Sequence, residues 1–255
     1  MKIIKIKENK KRRLTIRGIL SFFVAVVAVR SFFTGQYENL FTCILTLLLF
    51  CVPLYIDRRL RIDLPPTLEA IIYLFIFAAE IQGEIGSFYT KYPGWDTMLH
   101  TTNGFLMAAI GFALVDIFNR SERFSMKLSP FFLAIVAFCF SMTVGVLWEF
   151  FEFGMDWFFH MDMQKDFFVN TINTVSLNPD GLNIVEHIPI ESLIVNGEDW
   201  LELYGGYLDI GLIDTMKDLF VNFIGAVVFS VIGFFYTRHR ESGSFAEKFI
   251  PKIRE

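Results

Sequence analysis

Four short stretches of this chain set polar groups at helical spacing inside otherwise apolar sequence. Asp214, Asp218 and Asn222 recur every four residues, and Gly225 follows three later. Asp96, His100 and Asn103 stand at i, i+4 and i+7, Glu149, Glu152 and Asp156 at i, i+3 and i+7, and Glu80 and Glu84 one turn apart. On a helix each set shares one face. A carboxylate at the centre of a membrane-spanning helix costs about 2.5–3.5 kcal/mol on insertion scales, so these groups need partners, water or a cation. Carboxylates around one neutral imidazole can ligate a metal ion, activate a water molecule or exchange protons. Asp96, His100, Glu149 and Asp218 are the candidate catalytic residues, with His100, Glu149 and Asp218 as the metal-ligating subset. Glu152, Asp214, Asn222, Glu80 and Glu84 are the candidate ligand-binding residues. An oxygen-rich site with one nitrogen suits Mg²⁺, Mn²⁺ or Ca²⁺ better than a structural zinc. There is no HExxH motif, which argues against a zinc protease. The competing reading is structural: interhelical hydrogen bonds for Asn222 and its neighbours, a helix tie for His100, and solvated helix-end carboxylates for Asp156. Such helix glue normally uses Asn, Gln, Ser or Thr, so two aspartates on one face favour function.

The elements that must position these groups follow from composition. The chain is 54% hydrophobic, with 31 Phe and a mean hydropathy of +0.48. That excludes an ordinary soluble domain and fits an all-α integral membrane protein embedded in a lipid bilayer. Six apolar blocks predict a six-helix transmembrane bundle with spans at 14–33, 40–56, 67–88, 96–118, 129–159 and 213–236, in a single polytopic domain covering 1–255. Residues 1–13 hold seven Lys/Arg against one Glu. The loops at 57–66 and 119–128 and the tail at 237–255 are also basic. The segment 160–212 has nine acidic residues against Lys165 alone. By the positive-inside rule both termini are cytoplasmic and 160–212 is extracytoplasmic, in the plasma membrane. The alternating stretch 183–197, interrupted by Pro189, reads as a short hairpin or edge strand. Cys43, Cys51 and Cys139 lie in apolar blocks without metal-finger spacing. No nucleotide loop or basic nucleic-acid face is present.

This topology adds depth to spacing. Spans three and five run outward with their polar residues late; spans four and six run inward with theirs early. All four sets therefore fall in the outer half of the membrane. At ~1.5 Å per residue, Asn222 lies roughly 13 Å below the start of its span, near the middle of a core about 30 Å thick. Faces turned toward one another would line an acidic, His-containing cavity open to the outside.

The stretches GWDTMLHTTNGF (94–105), GVLWEFFEF (145–153) and DTMKDLFVNFIGA (214–226) resemble the VanZ-like membrane proteins, and most closely the YjdF-type branch. That family typically has an Asp-x3-His in one span, matched by Asp96 and His100. It has a Glu at the end of another, matched by Glu149 or Glu152, and an Asp-x3-Asn-x2-Gly in a last span, matched by Asp218, Asn222 and Gly225. The resemblance covers roughly residues 95–235. It implies a plasma-membrane protein, in a family with one member type linked to glycopeptide resistance; the long segment 160–212 departs from the compact VanZ pattern. The expected function is binding of a cation, or of the polar head of a lipid-linked or cell-envelope ligand, with metal-dependent hydrolysis or transfer as the chemistry such a site allows. A proton- or cation-coupled transporter and a structural accessory protein are the alternatives.

Overall fold

The structure, a computed structural model, describes residues 2–59, 62–120, 128–239 and 245–253. Most of the expected basic loop at 119–128, Arg61 and residues 240–244 of the expected tail lie outside the described residues. The chain forms two compact units, one of Met1–Gly145 with Phe220–Glu255 and one of Val146–Leu219.

In chain order the first unit contains α1 (Lys2–Phe33), α2 (Tyr37–Leu49), α3 (Val52–Arg59), β1 (Ile62–Asp63) and α4 (Pro66–Ile76). Helix α4 runs directly into a π-helical segment, Phe77–Ile85, followed by α5 (Phe88–Lys91) and α6 (Trp95–Arg120). Helix α7 (Pro130–Phe159) leads into the second unit, which holds β2 (Phe168–Val169), β3 (Thr171–Thr174), β4 (Glu186–Pro189), β5 (Ile194–Val195), β6 (Glu198–Asp199), α8 (Trp200–Tyr204) and β7 (Tyr207–Leu208). Helix α9 (Leu212–His239) returns to the first unit, which ends in a 3₁₀ turn (Phe245–Lys248) and β8 (Lys252–Ile253).

Among the described residues, five helical stretches are long and apolar enough to cross a membrane: Thr15–Phe33, Tyr37–Ile56, Trp95–Asp116, Pro130–Phe159 and Leu212–Arg238. Their outer faces are as apolar as their inner ones. Phe22, Phe23 and Val29 of α1 and Phe220, Val228 and Phe235 of α9 are exposed, the reverse of a helix that faces water. The second stretch is bent, because Pro53 lacks the amide needed to continue α2 and the helix restarts at Val52. The third expected span, 67–88, corresponds to α4 plus the π segment. The hydrogen-bond register changes at Phe77, so neither piece alone has spanning length, and the stretch carries three glutamates.

Two buried clusters hold the first unit together. Leu20 and Val24 of α1, Cys43, Phe50, Tyr73 and Ile81 form one. Leu68, Leu106, Phe112, Leu133, Phe229 and Phe249 belong to the other, which joins α4, α6, α7, α9 and the C-terminal segment. That segment was expected to be a free basic tail. Residues 245–253 instead fold back, with Ala246, Phe249 and Ile250 buried and β8 paired to β1 (Ile62↔Ile253, Asp63↔Lys252).

The second unit is built of two-stranded antiparallel ladders. Within the expected strand region, β4 pairs with β3 from Thr174↔Glu186 to Thr171↔Pro189, so Pro189 ends the strand where its missing amide does least harm. β5 and β6 form a tight hairpin around Asn196 and Gly197, at φ of 53° and 91°. Asn-Gly is the residue pair that a two-residue hairpin turn favours.

Candidate functional site

In the first unit α6, α7 and α9 meet at a node built on three glycines. A Cβ at Gly104 would strike the backbone of Asn222, and one at Gly225 would strike the carbonyl of Thr101 and the amide of Phe105. One at Gly145 would come within 2.8 Å of the Asn222 Nδ2. Small residues let the three backbones approach closely enough for polar groups to bond across helices. Asn222, 1% exposed, accepts from Asn103 Nδ2 at 3.3 Å, and its own Nδ2 lies 3.5 Å from the Ser141 carbonyl. Ser141 Oγ donates to the Gly104 carbonyl at 2.7 Å. Of the expected ligand-binding residues, Asn222 is thus a three-helix tie.

One turn before Asn103, at the start of α6, His100 Nε2 stands 3.4 Å from Asp96 Oδ1. The side chains are 11% and 24% exposed. Asp96 Oδ2 is buried and makes no hydrogen bond among the described residues. The turn of Pro93 and Gly94, with Gly94 at φ +82°, starts the helix immediately before this pair. A carboxylate at a helix N-terminus is favoured by the helix dipole. An imidazole facing that carboxylate with a second oxygen to spare is a proton-exchanging or cation-holding pair.

In the second unit the carboxylates do different work. Asp156 accepts from the Met163 amide at 2.6 Å and the Gln164 amide at 2.8 Å. Asp214 accepts from the Lys165 amide at 2.9 Å. Asp209 accepts from the Phe167 amide and, back along α9, from the Ile213 amide, both at 2.7 Å. Four backbone donors of the strap 163–167 are therefore held by three aspartates. Asp156 sits near the C-terminal end of α7, where the helix dipole disfavours an anion; the two amides offset that. Lys217 Nζ lies 3.9 Å from Asp214 Oδ1 and over the ring of Phe167. Glu149 and Glu152 are buried on α7, at 4% and 8% exposure, and Glu152 Oε1 accepts from Trp148 Nε1 at 2.8 Å. Asp218 is 1% exposed. Outside the helices, burial together with the charges of Asp162, Asp209 and Asp156 pushes the Asp166 carboxyl above its usual range, partly opposed by a hydrogen bond from the Gly211 backbone.

Glu80 is half-buried and Glu84 exposed on the π segment, whose main packing partners are α2, α4 and α5. Two acidic residues escaped the sequence reading. Glu69 is 6% exposed and accepts from Tyr73 Oη at 3.2 Å. Asp116 is 3% exposed near the far end of α6. Glu69 and Tyr73 stand at i, i+4, so that pairing was open to detection. Asp209 likewise carried a signal, an acidic residue just ahead of a long apolar helix.

Apolar outer faces, five spanning-length helices and buried polar ties define a multi-pass helical membrane protein. The chain belongs to the family of predicted membrane proteins DUF2238, whose model matches residues 15–239. No curated protein and no solved structure matches it.

Proposed function

We propose that the Asp96–His100 pair at the start of α6 belongs to an outward-facing site for a divalent cation, or for the polar head of a lipid-linked or cell-envelope ligand. The observation that carries this reading is the Asp96–His100 pair, 3.4 Å apart, with the second Asp96 oxygen buried and without a hydrogen bond among the described residues. Helix periodicity supports the rest. Each of the three helices that meet at the Asn222 node carries a titratable residue one turn away: His100 four before Gly104, Glu149 four after Gly145, and Asp218 four before Asn222. One imidazole nitrogen with carboxylate oxygens suits Mg²⁺, Mn²⁺ or Ca²⁺. A held cation would polarise a phosphoryl or carbonyl oxygen of a bound headgroup, the chemistry of a metal-dependent hydrolase or transferase.

The wider frame belongs to the same proposal. It is a single polytopic domain of six spans, the third being α4 with its π segment. The protein resides in the plasma membrane with both termini cytoplasmic, on the distribution of Lys and Arg. The motifs of α6, α7 and α9 are read as VanZ-like. The hydrogen bonds of Asn222 favour the structural reading for that residue alone.

The test is thermal melting of the detergent-purified protein across a panel of divalent ions. An ion at 100 times its dissociation constant should stabilise the wild type by about 2.7 kcal/mol, and the gain should vanish in His100→Ala. No response to any ion, with His100→Ala merely less stable, would leave helix packing as the role. Uptake by vesicles that depends on pH would point to a coupled transporter.

A further inference from the structure

We propose that residues 245–253 are a detachable stopper, seated in the bundle among α4, α6 and α9. The seat is well defined. Phe249 meets Phe105 of α6 edge-on at a centroid distance of 5.0 Å and Phe229 of α9 at 6.5 Å. Phe105 itself meets Phe229 at 5.0 Å, so the stopper completes an aromatic trio begun by two helices. Phe105 and Phe229 lie on α6 and α9, the two helices that Gly104 and Gly225 hold in close contact, so Phe249 bridges that pair of helices. The 3₁₀ turn packs on α4 and β8 packs on α6.

The mode of attachment differs from that of the helices around it. Two residue pairs with β1 form its ladder. Burial is concentrated in Ala246, Phe249, Ile250 and the adjoining Pro251, while Phe245 and Lys248 are exposed. A nine-residue terminal segment whose ladder, among the described residues, is two pairs long opens at lower free energy than a core helix. Its departure would uncover the Phe105 and Phe229 rings while leaving the glycine-mediated contacts of α6, α7 and α9 intact. The stopper therefore gives the bundle two states, with these rings covered and with them open. This inference does not depend on which ion or headgroup the site takes.

The experiment uses the full chain with Cys43, Cys51 and Cys139 replaced by Ser. One thiol is placed in the stopper, Ala246→Cys, and in a parallel protein one is placed in the core of α7, Ala137→Cys; both positions are 0% exposed. Labelling by a membrane-impermeant maleimide is followed in vesicles of both orientations. Local opening predicts that the thiol at 246 reacts at least about tenfold faster than the one at 137. Phe249→Ala should speed the first and leave the second unchanged. Equal slow rates at both positions, or an equal acceleration of both by Phe249→Ala, would show the segment to be an ordinary part of the core and overturn the proposal.

Discussion

The aspartate at the start of α6, Asp96, and those around the strap 163–167 are chemically alike and differently placed. Asp156 and Asp209 direct both oxygens at backbone amides, and Asp214 directs one at the Lys165 amide and the other toward Lys217. Charge-assisted bonds of this kind fix a loop and leave little capacity for a ligand. Asp96 faces an imidazole with one oxygen and keeps the other buried and without a hydrogen bond among the described residues. The difference teaches how to sort the acidic residues of this protein: what the second oxygen touches separates a fastener from a candidate ligand-holding group. Asp214 and Asp218, one turn apart on α9, illustrate the point on a single helix, the first tied to the Lys165 amide and the second set next to the Asn222 node along the chain.

The comparison can be broken most severely at the node itself. Gly225→Val would drive a side chain into the Thr101 carbonyl and the Phe105 amide, neither of which can withdraw without moving α6. Overpacking against backbone should cost at least about 3 kcal/mol, seen as loss of a cooperative melt or of a monodisperse detergent peak. An unchanged melt would show that α6 and α9 do not need close approach. Next comes the strap. Asp156→Ala strands two backbone amides, and each buried donor left unsatisfied costs about 1–3 kcal/mol. The loss should appear as faster proteolysis within 160–212, with any ion-induced stabilisation retained. Asn222→Ala removes the tie to Asn103 and should cost about 0.6–1.7 kcal/mol, the range measured for polar bonds between membrane helices.

The smallest effect concerns Asp166. Its carboxyl is raised above the usual range by burial and by neighbouring aspartates, so its ionised form is disfavoured in the fold. Its stabilising contribution is therefore present at low pH and is lost as pH rises through the raised value. Because the side chain is exposed, the effect is small. Asp166→Asn should match the wild type in acid and melt slightly higher near neutral pH. A variant that melts lower at neutral pH would reverse the assignment.

Much of this was legible in the sequence. Five apolar blocks became five spanning-length helices, because an unbroken apolar run of that length has few other outcomes in lipid. Burial of Asn222, Asp218, Glu149 and Glu152 follows from their stacking on one face. The third block was harder, since a run of apolar residues does not reveal a change from α to π hydrogen bonding at Phe77. Nor did it reveal the return of residues 245–253: a short basic tail looks solvated, and only its tertiary packing shows that Phe249 and Ile250 have a seat. The strap was missed for a related reason. Helical spacing puts Asp214 and Asp218 on the same face, but spacing cannot report that a loop some fifty residues earlier supplies an amide to one of them.

On the proposed reading Asp214 fastens the strap and Asp218 helps to hold a ligand, and paired melting of Asp214→Asn and Asp218→Asn with and without the stabilising divalent ion separates the two roles. The account predicts that Asp214→Asn lowers the ion-free melting temperature and keeps the ion-induced rise, whereas Asp218→Asn loses the rise. Loss of the rise in Asp214→Asn, or its survival in Asp218→Asn, would contradict it.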